Sequence, residues 1–299
     1  MTMVVSHWSA NAAVLAVVAL VAAAHLRGTL AIARDARQRG EAPPGGLRRE
    51  AVVFYAGLLA VLLALVSPVG YWSQKYIWVR SVQDLLLANV APPLIVLGAP
   101  WLALARGLGM AGRPPPAARA GRDDVARPVR DWPPLPVLAV IGFNVVWCGW
   151  HIPALYDAAL RFRAVYAAEI FSYLGLGVVL WLQLIGSRPL RPALTPLRRV
   201  ILLMGTITVG TVLGMVLVFG SGLAYPTYAG TGHQVLSVVY DQQTGGAVLW
   251  VLMLPAYTIA GIALLIRWLN DEETGALTSG LDRLLKPAKS AWPSRPGLR

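Results

Sequence analysis

Four ionisable side chains stand at the ends of apolar runs, where a membrane sequence tolerates charge least: Asp84, Glu169 and Asp241 near the start of three of them and His151 at the end of a fourth. Such groups are costly in a bilayer and mark places that bind, pair or relay. Imidazole and carboxylate at a common depth form a donor set suited to copper(II) or a hard cation. His151, Asp84, Glu169 and Asp241 are therefore the candidate metal ligands. Asp157, Gln242, Tyr156, Trp150 and Arg80 lie at the same level and are candidates for contact with a partner protein, with Gln242 orienting one of the carboxylates. A structural alternative stands beside each role. Asp84 and Asp241 suit helix N-caps, acidic groups favour helix N-termini, and His151 suits a hydrogen bond to a loop carbonyl. Arg80 and Asp84, four residues apart, fall on one helix face and can pair. Cys148, the single cysteine, excludes an internal disulfide and reads as a small buried hydrophobe.

These side chains need a scaffold, and its composition is decisive. Of 299 residues, 57% are hydrophobic and 13% charged, with a mean hydropathy of +0.59, far too apolar for a soluble domain of that length. Crossing a bilayer takes about 20 apolar residues per helix, and seven runs qualify: 9–26, 51–69, 82–105, 134–151, 166–186, 200–220 and 244–267. The expected fold is all-α, a polytopic seven-helix membrane domain over residues 1–273 followed by a basic tail, 274–299. The first run lacks the flanks of a cleaved signal peptide and reads as a retained helix. Pro92, Pro93 and Pro255 should bend their spans, Gly210 and Gly214 form a G-x-x-x-G contact motif, and the aromatics near the four ionisable groups resemble an interfacial belt.

Charge fixes the expected orientation. Lys and Arg number six in 27–50, six in 106–133, four in 187–199 and six from Arg267 onward, 22 of the 26 in the chain. The alternate connections hold only Lys75, Arg80, Arg161 and Arg163. The positive-inside rule then puts the N-terminus outside and the C-terminus in the cytoplasm. The net charge of +12 is thereby a topological label, and no nucleic-acid partner is needed to account for it. The Pro- and Arg-rich segment 112–134 reads as an irregular cytoplasmic loop, and the tail as a short amphipathic helix (Leu277, Leu281, Leu284, Leu285) followed by disorder.

No catalytic motif is present: there is no G-x-S-x-G and no H-E-x-x-H, and four histidines placed mostly at span ends do not supply bis-imidazole haem ligation. The expectation is a protein without enzymatic activity. Three stretches instead carry a family resemblance. They are Ser67-Pro68 followed by Gln83-Asp84-Leu85-Leu86-Leu87 and Ala91 to Pro100; Trp150-His151-Ile152-Pro153-Ala154-Leu155-Tyr156-Asp157; and Tyr225-Pro226-Thr227-Tyr228 with Asp241-Gln242-Gln243-Thr244-Gly245-Gly246 and Trp250. Together they resemble the multi-spanning CtaG family of bacterial cytochrome c oxidase assembly factors. The resemblance implies a multi-pass protein of the bacterial cytoplasmic membrane, embedded in the lipid bilayer, that partners cytochrome c oxidase subunits and assists copper insertion on the extracytoplasmic side.

The departures fall in the site itself. Where the family carries His-Met-x-x-His, this chain has Arg80, Ser81 and Asp84, and where it carries His-x-x-x-His, this chain has Tyr166 and Ile170 around a retained Glu169. One family imidazole, His151, remains. The readings open at this point are an assembly factor working through protein contacts, one with an oxygen-rich metal site, a structural oxidase-associated subunit, and a copper or small-solute transporter. The last is disfavoured by the absence of charge deep in the spans.

Overall fold

The computed structural model describes residues 7–8, 11–110, 135–190, 192, 194–231 and 237–285, with side chains up to 270. The chain is all-helical, as expected, with no strand among the described residues beyond an isolated bridge between Ser187 and Leu190. Five helices are long and apolar enough to cross a membrane, and seven spans result if each of two sharply bent helix pairs counts as one.

Helix α1 (Ala12–Gln38) starts at Asn11, whose side chain accepts from the Val14 N–H at 3.3 Å, and stops before Gly40, where a φ of +71° closes the C-terminus. It overruns the expected span 9–26, so Arg27, Arg34 and Arg37 ride on the helix rather than in a loop. Basic residues in the last turns match the helix dipole and suit a helix leaving the apolar layer. Helix α2 (Leu47–Leu65) leads to Ser67, which caps the short α3 (Pro68–Trp72).

The third span departs most from expectation. It consists of α4 (Ile77–Leu85), a π-helical turn (Leu86–Val90) and α5 (Ala91–Leu97), after which α6 (Trp101–Gly107) turns away by 79°. Run 82–105 is thus two elements, because Ala99, with φ +44°, and Pro100 break the helix between them. The π turn precedes Pro92 and Pro93, which cannot donate to the carbonyls one turn back, so the ladder shifts register there. Helix α6 seats itself on α1: a Cβ on Gly28 would lie 1.7 Å from the Ala103 carbonyl oxygen and one on Gly107 1.8 Å from that of Ala24. Only hydrogen at both positions permits that approach.

Helices α7 (Leu135–Trp150) and α8 (Pro153–Arg161) are bent by 72° around His151 and Ile152. Helix α9 (Arg163–Leu184) and α10 (Pro196–Phe219) follow, then a 3₁₀ turn (Pro226–Gly230) and α11 (Val238–Leu285). The G-x-x-x-G motif serves an intramolecular contact, with Gly214 of α10 facing Gly246 of α11; a Cβ on Gly246 would stand 2.7 Å from the Gly214 carbonyl oxygen. The tail does not form a separate helix, because α11 runs on without a break to Leu285. The segment 112–134 and the chain beyond 285 lie outside the described residues.

The shared core holds Phe143, Trp147, Tyr173, Leu180, Trp181 and Tyr257, all at most 2% exposed. The alternating spans give the bundle two ends. One gathers α3, α8, the 3₁₀ turn and the starts of α4, α9 and α11, and is called the polar end. The other holds the end of α1, the start of α2 and the segment after α9, and is called the basic end.

Candidate functional site

The polar end is built around Arg80. Helix α4 lacks a capping side chain of its own at Tyr76, and Asp241 of α11 supplies one: its carboxylate accepts from the N–H of Ile77 at 2.8 Å and of Trp78 at 3.0 Å. Asp241 therefore caps a helix 164 residues away in sequence and not its own, with the helix dipole favouring the negative charge. That cap fixes the rotation of α4, and Arg80, Gln83 and Asp84 consequently face inward, each buried to 2% or less.

The Arg80 guanidinium donates to the Glu169 carboxylate from α9, and its Nε stands 3.6 Å from Asp84 Oδ1 one turn below. The expected pairing of Arg80 with Asp84 is thus one edge of a larger cluster. Tyr156 and Tyr166 cover the guanidinium, their ring centres 5.5 and 4.9 Å from its carbon. Cation–π contact of this kind strengthens where water is excluded. Gln83 donates to the Tyr166 hydroxyl at 2.8 Å and to the Ala64 carbonyl at 2.7 Å, tying α4 to both α9 and α2.

His151 completes the enclosure from the α7–α8 bend. A carbonyl only accepts, so the 2.8 Å contact between Nδ1 and the Trp147 carbonyl places a proton on Nδ1. Nε2 points at Asp84 Oδ2 across 4.0 Å. Tyr225 donates its hydroxyl to the His151 carbonyl at 3.1 Å and stacks on Tyr156 at 3.8 Å. Tyr228 reaches the Ser73 carbonyl at 2.6 Å. Burial pushes the hydroxyls of Tyr225 and Tyr228 well above the usual tyrosine range, keeping both as donors.

Arg80, Asp84, Glu169 and His151 therefore converge, whereas Asp241 belongs to the helix cap beside them. Although they stand near helix ends, Asp84, Glu169 and Asp241 are not solvated, each being at most 2% exposed. The belt reading fails for Tyr156, Tyr225 and Tyr228, which are inside the protein. Among the candidates for partner contact, Arg80, Tyr156 and Gln242 are also buried, and in this arrangement they position rather than touch. Gln242 accepts from the Ala224 N–H at 2.7 Å and donates to the Gly222 carbonyl at 3.1 Å, pinning the connection before α11 and orienting no carboxylate. Trp150 donates to Ser172 at 2.8 Å across α7 and α9. Asp157 lies on α8, partly buried, with Oδ1 meeting no hydrogen-bond donor among the described residues.

Gln83 and Tyr166 are the members that residue types alone did not single out. The available signal was adjacency, Gln83 before Asp84 and Tyr166 three residues before Glu169, one helical turn apart.

A copper ion does not fit these residues. Copper favours imidazole and sulfur donors, and the cluster offers a single imidazole, whose free Nε2 faces only the Asp84 carboxylate, itself held beside Arg80. A fully buried guanidinium stands between the two carboxylates and repels any second cation. Among the described residues, no group of three or more His, Cys, Asp and Glu side chains is placed to hold a metal ion.

Neither the curated proteins nor the solved structures include a significant match to the chain. The family model described as cytochrome c oxidase caa3 assembly factor matches residues 29–271, which take in every member of the Arg80 cluster and its helix cap, and the chain belongs to that family.

Proposed function

We propose that this protein assists maturation of a cytochrome c oxidase through protein contacts made at the polar end of the bundle, outside the cytoplasmic membrane, and not by carrying copper. The family supports the client, and the charge distribution along the chain supports the orientation. The observation that carries the mode of action is the buried Arg80 guanidinium, which fills the place where a transferable cation would sit. Breaking an interior ion pair leaves an uncompensated charge, so the cluster constrains the elements that supply it, α4, α9 and, through Tyr156, α8. What it holds is α8, laid across the end of the bundle with Ile152, Leu155 and Phe162 at its two ends and along it 53%, 42% and 61% exposed. That apolar platform is the surface offered to an oxidase subunit during its assembly.

The test is deletion of the gene, with oxidase activity, oxidase copper content and subunit assembly measured in membranes, alongside copper analysis of the purified protein. Expected are reduced assembled oxidase and no stoichiometric copper in the purified protein. Unchanged oxidase would overturn the client, and stoichiometric copper lost in His151→Ala would overturn the mode of action. Copurification with mature oxidase at fixed stoichiometry would make the protein a structural subunit instead.

A further inference from the structure

At the opposite, basic end, the turn of α6 away from α5 opens a cavity of about 390 Å³ between α1, the start of α2, α6 and the segment after α9. Its volume is within the range of small-ligand sites. The rim carries one group of each sign. Arg188 Nη1 and Glu50 Oε1 stand 3.9 Å apart, beyond hydrogen-bond length, and the Arg188 side chain is 82% exposed. The interior is apolar on Ile32 and Leu102, with a single buried imidazole, His25, whose Nδ1 lies 3.2 Å from the Tyr55 hydroxyl.

Three observations separate this cavity from a packing defect. Its wall includes Ala99, whose φ of +44° is a conformation that costs a residue with a side chain free energy and that recurs at ligand clamps. Its rim is at the level where two membrane-length helices, α2 and α9, begin and end, which is where a spanning helix meets lipid headgroups, while its lining includes apolar residues. Its two rim charges are loosely paired, so each keeps hydrogen-bonding capacity for a ligand.

We propose that this cavity binds a phospholipid whose headgroup carries both a phosphate and a primary ammonium, a phosphatidylethanolamine. The phosphate takes the Arg188 guanidinium, the ammonium donates to Glu50, and the upper part of an acyl chain follows Ile32 and Leu102 into the cavity. A phosphatidylglycerol head offers Glu50 only neutral hydroxyls and leaves its negative charge uncompensated. A choline head has no N–H to donate to the carboxylate. The lipid then fills the wedge between α6 and α2 and fixes the α5–α6 bend.

The experiment uses the full-length protein, purified and delipidated, then mixed in detergent with dioleoyl phosphatidylethanolamine, phosphatidylglycerol or phosphatidylcholine, with bound lipid counted by native mass spectrometry. Soluble phosphoethanolamine forms a further arm. Expected is one retained phosphatidylethanolamine, retention of the other two lipids about tenfold weaker, and none of the soluble headgroup, one charge-assisted hydrogen bond being worth about that factor. Glu50→Gln and Arg188→Gln should each lower retention about tenfold, and Glu50→Gln should remove the preference over phosphatidylcholine. Arg188 is mostly exposed, so Arg188→Gln folds, and an unchanged melting temperature without lipid verifies it. Equal retention of all three lipids, retention insensitive to both substitutions, or capture of the soluble headgroup without the lipid would overturn the proposal.

Discussion

The guanidinium of Arg80 and the carboxylate of Glu169 are joined with neither side chain reaching solvent, and between them they lock α4 to α9. Removing one partner leaves an uncompensated interior charge, which costs about 3–5 kcal/mol. Arg80→Ala and Glu169→Ala should each lower the melting temperature sharply in detergent. Arg80→Met combined with Asp84→Leu and Glu169→Leu should recover most of the loss, because apolar side chains of similar volume need no partner. If the single variants melt like the parent protein, the cluster is not what holds these helices.

Asp241 tests a different link, from side chain to helix start. Its two oxygens satisfy the first two free N–H groups of α4. Asp241→Ala should cost about 2 kcal/mol, the upper range for a lost cap, and Asp241→Asn about half of that, since the amide retains one acceptor oxygen. Both are read by thermal unfolding. Equal effects of the two would show that charge, and not hydrogen bonding, is what the cap contributes.

Helix α6 depends on hydrogen at two positions. Gly28→Ala places a methyl group 1.7 Å from the Ala103 carbonyl oxygen, a separation no real contact shows, so α1 and α6 must part. Overpacking of this type costs about 1–3 kcal/mol or more. Lower yield and a lower melting temperature are expected for Gly28→Ala and again for Gly107→Ala. Gly222→Ala, with nothing within 4 Å, should be neutral and serves as the control.

Hydropathy and the run of basic residues made the class of fold readable from the chain alone, because both are properties of position along one axis. The motifs around Asp84, His151 and Asp241 were readable for the same reason, as they share one depth. What could not be read was rotation about each helix axis. Asp84 and Glu169 read as metal ligands or helix-start acids, since depth alone does not say that Arg80 turns inward to meet them. Asp241 looked like a cap for its own helix, and nothing in its neighbours reveals that α4 lacks one. The α5–α6 bend escaped because a largely apolar run from Leu85 to Leu104 conceals a break made by the positive φ at Ala99 ahead of Pro100. The long α11 escaped because polar sequence after residue 270 marks an exit from the apolar layer and not the end of a helix.

The proposed orientation rests on the charge distribution and is open to direct labelling. With Cys148 replaced by Ala, an engineered thiol at Ala229, exposed beside the 3₁₀ turn, should react with an impermeant maleimide added to intact cells. One at Ala42, exposed between α1 and α2, should react only after the cells are opened. The reverse pattern would place the polar end in the cytoplasm and remove the surface proposed for the oxidase.

The client surface itself separates a docking role from a structural one. Ile152, Leu155 and Phe162 are exposed, and surface substitutions that break no buried contact usually change stability by less than about 0.5 kcal/mol. Leu155→Glu and Phe162→Glu should therefore leave the melting temperature of the purified protein within a degree or two while reducing assembled oxidase in membranes severalfold, because a carboxylate in an apolar contact must be dehydrated without a partner. Leu108→Glu, equally apolar in origin and 60% exposed but at the end of α6 at the opposite end of the bundle, should spare the oxidase wherever the protein still accumulates. If the α8 substitutions leave oxidase levels intact, α8 faces lipid rather than a client, and the contact has to be sought on the 3₁₀ turn, where Pro226 and Ala229 are also exposed.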